Sequence, residues 1–445
     1  MDTIKKTKHK KAVLYLILSL WLTINWSSDT YGQTMLNLQA AFDLLEQQNP
    51  DMVQANLNKL LSEQEYKDAK NTLLPRINAG ISHNYNLGLA FDQIAGQLVT
   101  GNKWSNTANA NISLSTTIFQ GFNRLNSIRL AQLDVEGEHI TIAVKRKALK
   151  LELLANYFDV LANMELYDAS KRQLELSIKQ LHQMKEEYSL GTKTQIDISL
   201  TENQKSNDEL RMMAAQKNLQ TKLLSVKELI GVPLDDSIVL ELPQVDADIS
   251  ELSHKRIYHN PEIRMSQFNV DKAEIQLRMK KNAYYPTLSF SSGYGTNYSS
   301  ERMDPINSGY MPFVDQVNQN RSLYFGISLS IPVLDGFKVR SDIRKANITL
   351  SQQKAEQKKT IFIQEKIHRQ AIEEYRHALK EHKLYQVQLK STQTSYEAMK
   401  ERYALGLTTA MDLAKALLDY NLAELSLIRA KYLIIYNQEV LKILD

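Results

Sequence analysis

The chain has 445 residues, a formal net charge of +4 from 54 Lys and Arg against 50 Asp and Glu, and no cysteine. The missing cysteine excludes disulfide frameworks, thiolate metal sites, a cysteine nucleophile and a lipid-modified N-terminal cysteine, and the near-balanced charge gives no global field for nucleic acid. Gly (15) and Pro (9) are few for this length, which favours long helices over many short strands.

Residues 1–32 read as a secretory signal peptide. Lys5, Lys6, Lys8, Lys10 and Lys11 precede the apolar run from Ala12 to Leu22, and a polar stretch ends in Thr30-Tyr31-Gly32-Gln33, with a cut expected after Gly32. The alternative is an uncleaved anchor, but about 11 apolar residues fall well short of the roughly 20 that a spanning helix needs. No later segment is continuously apolar for the ~18 residues of a membrane helix. The exported chain is therefore either soluble or crosses a membrane as strands.

From Pro75 the pattern has a period of two. Ile77, Ala79, Ile81, Tyr85, Leu87 and Leu89 alternate with Asn78, Gly80, Ser82, Asn84 and Asn86, and a return strand sets Ala108, Ala110, Ile112, Leu114, Thr116 and Ile118 against Asn109, Asn111, Ser113, Ser115 and Thr117. One face is apolar and the other polar without charge, as a membrane barrel with a wet lumen requires, although a half-buried soluble sheet gives the same alternation. Strands of about 14 residues exceed the ~10 needed to cross a membrane obliquely. Pro75 ends the incoming helix and Gly121-Phe122 starts the outgoing one, so both ends of the hairpin lie at one level. There Phe119 and Phe122 are placed for an interfacial aromatic girdle.

A helical hairpin follows over 122–230, with a break at Leu190-Gly191-Thr192. Next comes GVPLDDSIVLELPQVDADIS, an acidic, Pro-punctuated stretch whose residues 232–249 read as a linker. The remainder repeats what came before. Asn49-Pro50-Asp51 matches Asn260-Pro261-Glu262 at an offset of 211. ISLSTTIFQGFNRLNSIRLAQ (112–132) aligns with ISLSIPVLDGFKVRSDIRKAN (327–347), and YSLGTKTQIDI (188–198) with YALGLTTAMDL (403–413), both at an offset of 215. The chain is thus expected to be two copies of one unit, 33–231 and 250–445. Strands fall at about 76–120 and 287–335, and helical hairpins at 122–230 and 337–445. In the second copy Pro286 and Gly336-Phe337 stand where Pro75 and Gly121-Phe122 stand in the first, and Tyr284, Tyr285 and Phe337 join the expected girdle.

Residues 337–405 contain no Gly or Pro, and at ~1.5 Å per residue such a helix is about 100 Å long, which calls for a coiled coil or bundle. Heptad positions support it. Tyr375, His382, Leu389, Tyr396 and Tyr403 alternate with Ala378, Tyr385, Thr392 and Met399, and Val160, Tyr167, Leu174, Leu181 and Tyr188 with Asn163, Ser170, Ser177 and Met184. Small and polar residues suit helices packed around a tunnel that holds water, and an ordinary weak coiled coil explains the stripe equally well. Four strands cannot close a barrel, and open edges are not tolerated in lipid. The chain is therefore expected to oligomerise, three copies giving twelve strands.

The duplicated Pro-strand-loop-strand-Gly-Phe hairpins, the GVPL end of the first unit and the paired Tyr-x-x-Gly-x-x-Thr-x-x-Asp turns resemble the TolC-like outer-membrane channel-tunnel family, the outer membrane factors, over essentially all of 33–445. The resemblance implies a mainly helical fold with four transmembrane β-strands per chain, forming a homotrimeric 12-stranded barrel in outer-membrane lipid and a periplasmic helical tunnel. It implies docking to a periplasmic adaptor and an inner-membrane pump of the RND or ABC type, in tripartite efflux or type I secretion of drugs, metals or proteins.

Within the turns, Gly191 and Gly406 fit left-handed C-caps, and Thr194 and Thr409 fit N-caps. Hairpin geometry alone leaves the matched Tyr188/Tyr403 and Asp197/Asp412 unexplained. By resemblance, Asp197 and Tyr403 pair to hold the periplasmic entrance shut, and Asp412 forms an acidic constriction ring with cation preference and pH-sensitive conductance. The sequence departs from that pattern at Thr408, where some members have a basic residue that Lys193 supplies in the first copy, and at Lys415, which replaces a second acidic residue. Leu190-Gly191-Thr192 and Leu405-Gly406-Leu407 resemble the adaptor-docking surface, and exposed Leu at a turn agrees with a partner contact.

Two other classes compete. For an enzyme, Gly96-x4-Gly101-Asn102-Lys103 fails the phosphate-loop pattern, and His368, His377 and His382 follow one another at spacings of 9 and 5, neither of which stacks imidazoles on one helix face. No catalytic, cofactor-binding or metal residue is expected. A soluble periplasmic coiled-coil adaptor or scaffold is the second alternative, but it would have no use for four lipid-facing strands.

Overall fold

The computed structural model describes residues 34–243, 260–306 and 309–444. The expected signal peptide lies outside the described residues, as does the expected linker from residue 244 onward. The elements in chain order are β1 Thr34–Leu36, α1 Leu38–Gln48, α2 Pro50–Asn71, β2 Arg76–Leu87, β3 Ala90–Asp92, β4 Gln97–Val99, β5 Trp104–Gln120, α3 Asn123–Ser189, α4 Gln195–Ile230, β6 Ile238–Leu240, α5 Pro261–Lys281, β7 Thr287–Ser299, α6 Phe313–Gln319, β8 Ser322–Ser330, α7 Lys338–Ala404 and α8 Ala410–Leu444.

Breakers set the ends of the long elements. Helices α3 and α7 are each 67 residues long, and their first and last residues differ by the same sequence offset as the tip motifs. Gly137 lies within α3 without ending it. A Cβ there would come within 2.4 Å of the Phe268 ring of α5, so the absent side chain is what lets that ring approach. The heptad positions of α3 and α7 are buried or half-buried except Tyr188, while the positions between them are mostly exposed. This seam is thin, and ion pairs between neighbouring helices supplement it, such as Lys222 to Asp159 at 2.6 Å and Lys185 to Glu202 at 2.9 Å.

The chain divides into two compact bodies, and neither is a sequence repeat: each draws on both halves. The first body has residues 34–49, 150–243 and 378–436 as its described part. Its core is built by Leu38, Ala41 and Leu45 of α1, Leu153, Leu154 and Val160 of α3, Val226 and Ile230 of α4, and Leu417 and Ala423 of α8. A fully buried Leu contributes roughly 1.5–3 kcal/mol. Part of the expected linker is structured here, because the apolar run Ile238–Leu240 pairs in parallel with β1. The Tyr157 hydroxyl donates to the carbonyls of Leu36 (2.9 Å) and Glu241 (2.6 Å), tying both strands to α3.

The second body comprises residues 50–149, 260–377 and 437–444 of the described chain. Its main feature is an antiparallel sheet of order β2-β5-β7-β8. The register aligns Ala79, Ile112, Tyr294 and Leu323 in one row, and Ile77, Leu114, Ser292 and Phe325 in the next row of the same face. The opposite face aligns Gly80, Asn111, Gly295 and Ser322. The expected alternation is therefore present as two chemically distinct faces, and Ile81 (88% exposed) and Ile327 (73%) have little cover among the described residues. Two details differ from the sequence expectation. β8 stops at Ser330 because Pro332 cannot donate to a ladder, and the connection from β7 to β8 contains the short helix α6.

Candidate functional site: strand junctions and helical hairpin tips

At both strand-to-helix junctions the chain reverses through two consecutive left-handed residues, Gly121 (φ 55°) with Phe122 (φ 63°) and Gly336 (φ 63°) with Phe337 (φ 63°). A left-handed conformation costs a residue with a side chain about 1–2 kcal/mol, so duplicated Phe at this position marks a required reversal. Gly121 is needed twice over, since a Cβ there would lie 2.4 Å from the Asn282 carbonyl oxygen. Phe119 packs edge-on against Phe122 with ring centroids 5.2 Å apart, and Phe122 against Tyr285 at 6.1 Å. A bulge at Thr117/Phe119 frees the Thr117 carbonyl, and Arg124 donates to it. Pro75 and Pro286 sit directly before β2 and β7, where they terminate the incoming helices.

The two hairpin tips share one backbone solution. Helix α3 ends with Gly191 at φ 76°, its N–H donating to Tyr188 O (2.9 Å), while Thr192 N–H donates to Glu187 O (3.1 Å). Helix α7 ends with Gly406 at φ 73°, its N–H donating to Tyr403 O (3.0 Å), while Leu407 N–H donates to Arg402 O (2.8 Å). Both are Schellman caps. The returning helices start on capping boxes. Asp197 N–H donates to the Thr194 hydroxyl oxygen (3.3 Å) and Thr194 N–H to the Asp197 carboxylate (2.9 Å). Thr409 and Asp412 repeat this at 3.2 and 3.3 Å.

The two carboxylates therefore have a structural task beyond the gate role expected of them. Thr-x-x-Asp ahead of a helix is a capping-box pattern, and that pattern is the signal the sequence carries for it. The backbone N–H and then the hydroxyl of Thr194, helped by the charge of Lys193, hold the Asp197 carboxyl below the usual range. The Thr409 hydroxyl, its N–H, the Thr408 hydroxyl and the charge of Lys415 do the same for Asp412.

Of the expected gate residues, Lys193 and Tyr403 come together: the ammonium lies 4.0 Å from the ring centroid. Asp197 and Tyr403 are not hydrogen-bonded within the chain, because the carboxylate is occupied by Thr194 and the buried Tyr403 hydroxyl has no partner among the described residues. Tyr188 is 43% exposed and Asp412 is exposed. At the tips Leu190 is 78% exposed and Leu405 73%. Leu407 is also open, as are Ile196 and Met411, two apolar side chains that extend the surface beyond the turn motif itself.

Long, thinly packed helical hairpins joined to a two-faced sheet through matched Gly-Phe reversals define an outer-membrane efflux channel subunit. The family described as outer membrane efflux protein matches residues 41–232 and 252–444, and the chain belongs to that family. It is 21% identical to Outer membrane protein TolC of Escherichia coli K12 over 411 residues, covering 90% of this chain and 80% of that protein. Its fold is similar to that of the CmeC outer membrane channel of Campylobacter jejuni (TM-score 0.76, 16% identity, 94% of this chain and 89% of that one). It is also similar to the outer membrane protein VceC of Vibrio cholerae (TM-score 0.74, 13% identity, 92% and 95%). No described helix is long and apolar enough to cross a membrane.

Proposed function

We propose that three copies of this outer-membrane efflux protein close a twelve-stranded barrel, and that the assembly is a passive conduit with no chemistry of its own. The observation that carries this reading is the sheet β2-β5-β7-β8. It has an exposed apolar face, a polar reverse charged only at Arg76, the first residue of β2, and two edges, β2 and β8, that pair with no other described strand, and lipid tolerates such edges only when other chains pair with them. The junction aromatics then stand at the membrane interface. The repeated units act as two halves of each subunit's contribution, 33–231 and 250–445.

The energy for transport comes from an inner-membrane pump of the RND or ABC type, reached through a periplasmic adaptor. The adaptor docks on the exposed tips Leu190-Gly191-Thr192 and Leu405-Gly406-Leu407. Tyr188, Lys193, Asp197, Tyr403 and Asp412 form the periplasmic gate, in which the Tyr403 hydroxyl, without a hydrogen-bond partner among the described residues, is available to a neighbouring hairpin.

Fractionation and electrophoresis test the assembly: a heat-modifiable trimer in outer membranes is expected, and recovery as a soluble monomer would overturn it. In planar bilayers, Asp197→Val with Tyr403→Phe is expected to raise single-channel conductance. Unchanged conductance with trimers intact would remove the gate assignment.

A further inference from the structure

Within the first body, α3, α4 and α8 line a half-open cavity with room of about 20 Å³, bordered by Ser170, Gln173, Asp208, Arg211, Asn421 and Glu424, among others. Asp208 is 1% exposed and Asn421 6%. The Asp208 Oδ2 atom accepts from the Ser177 hydroxyl and from Gln204 Nε2 (3.0 Å). Four buried polar atoms here have no hydrogen-bond partner among the described residues: Asp208 Oδ1, Asn421 Oδ1, Asn421 Nδ2 and Gln173 Nε2. Buried polar atoms in folded proteins are almost always hydrogen-bonded, so such a group facing one small cavity calls for a ligand.

The chemistry of the four atoms identifies it. Two are acceptors and two are amide nitrogens with hydrogens to donate, so a single water molecule that donates twice and accepts twice offers one hydrogen bond to each of the four. Turning the Asn421 amide over leaves the balance unchanged, because it supplies one donor and one acceptor either way. The volume fits as well, since a water needs roughly 10–15 Å³ and two to four polar partners. A cation fits poorly: two N–H donors line the site, and Arg211 Nη1 stands 3.7 Å from Asp208 Oδ1, too far for a hydrogen bond and close enough to repel a positive ion.

We propose that this cavity binds one water, and that the water is the polar joint between α8 and the α3–α4 pair. Asn421 makes no direct hydrogen bond to Asp208 or Gln173, so the bridge is remade when the helices shift by a fraction of an ångström, which direct packing does not permit. Asn421 lies nine residues after Asp412 on α8 and Asp208 eleven after Asp197 on α4, about 13 to 17 Å along each helix. Resting on the reading of the tips as a gate, the joint is the point about which α8 yields when the gate opens.

Near-isosteric substitutions test it in the assembled protein. Gln173→Met and Asn421→Leu are each expected to lower the thermal midpoint of trimer dissociation, because each expels the water and strands the remaining polar atoms. The double variant should lose less than the sum of the two, since one water serves both. A rise in midpoint for either single variant would mean a dry cavity, and additive losses would mean no shared water; either result overturns the site. An anomalous peak there in crystals soaked with rubidium would replace the water by a cation and overturn it as well. This stability arm does not depend on the gate. For the joint, Asn421→Leu is added to the Asp197→Val and Tyr403→Phe background, where a smaller conductance than the background's is expected. Equal conductance, with the background itself raised over the wild type, would overturn the joint alone.

Discussion

The tips at 188–198 and 403–413 end their helices in the same way and differ in what surrounds the caps. Each has a left-handed Gly, a Schellman pair and a Thr/Asp capping box, and the Gly N–H bonds measure 2.9 and 3.0 Å. The first tip adds Lys193, which reaches across to the ring of Tyr403 on α7 and also lowers the carboxyl of Asp197. The second tip has Thr408 in that position, a hydroxyl that turns back onto its own Asp412 at 3.1 Å. Backbone reversal is thus shared by duplication, while at this matched position the first copy alone supplies a side chain, Lys193, that reaches the other hairpin. That asymmetry separates what any hairpin needs from what a gate needs.

The largest effect should come from breaking the shared part. Gly191→Val and Gly406→Val place a β-branched residue at φ 76° and 73°, with no atom within 4 Å of the added Cβ, so only the backbone resists. Each is expected to cost about 1–2 kcal/mol locally. Hydrogen exchange at the amides of residues 192 and 407, which close the Schellman caps, would show equal losses of protection. A loss at one tip alone would mean that the two reversals are not equivalent.

Much of this architecture is legible in the amino-acid sequence. Helices α3 and α7 begin after Gly-Phe and end before Gly, and only breakers can decide the ends of such polar helices, so their positions are written in single residues. The strands are legible because a period of two survives in a sheet whose two faces meet different surroundings. The compact bodies are not legible. They join α1 to the distant end of α4 and draw β6 out of an apparent linker, through contacts whose sequence separation leaves no local pattern. The role of Asp197 and Asp412 is half-legible, since Thr-x-x-Asp stands in plain view but the same spacing also answers to a gate. Asp208 and Asn421 cannot be singled out among the many Asp and Asn of these helices, because only their burial distinguishes them.

A smaller effect should follow from the caps. Thr194→Ala and Thr409→Ala each remove an N-cap, worth about 1 kcal/mol, and should raise exchange at the amides of residues 197 and 412. Both capping carboxyls are held below their ordinary range, so their contribution is complete above the ordinary pKa of about 3.9 and is lost as the pH falls through the lowered folded value. The wild-type tips should therefore fray only in acid below about pH 4, and the alanine variants should show a weaker acid dependence. An unchanged acid response in the variants would detach these carboxylates from the caps.

The smallest effect tests the part that only one tip has. Lys193→Met keeps the length and apolar stem of the side chain but removes the charge over the Tyr403 ring. The loss expected for a partly exposed cation–π contact is about 0.5–1 kcal/mol. A double-mutant cycle with Tyr403→Leu, read from the thermal midpoint of the trimer, isolates the pair from the loss of either side chain alone. Lys193→Arg should retain most of the coupling, because a guanidinium also stacks on an aromatic face. The charge lies close to Asp197 as well, so the methionine variant should move the acid fraying of the first tip to higher pH while leaving the second tip unchanged. A shift at both tips would mean that Lys193 acts on the whole end of the helical body and not through its contact with Tyr403, and the asymmetry between the copies would lose its link to the gate.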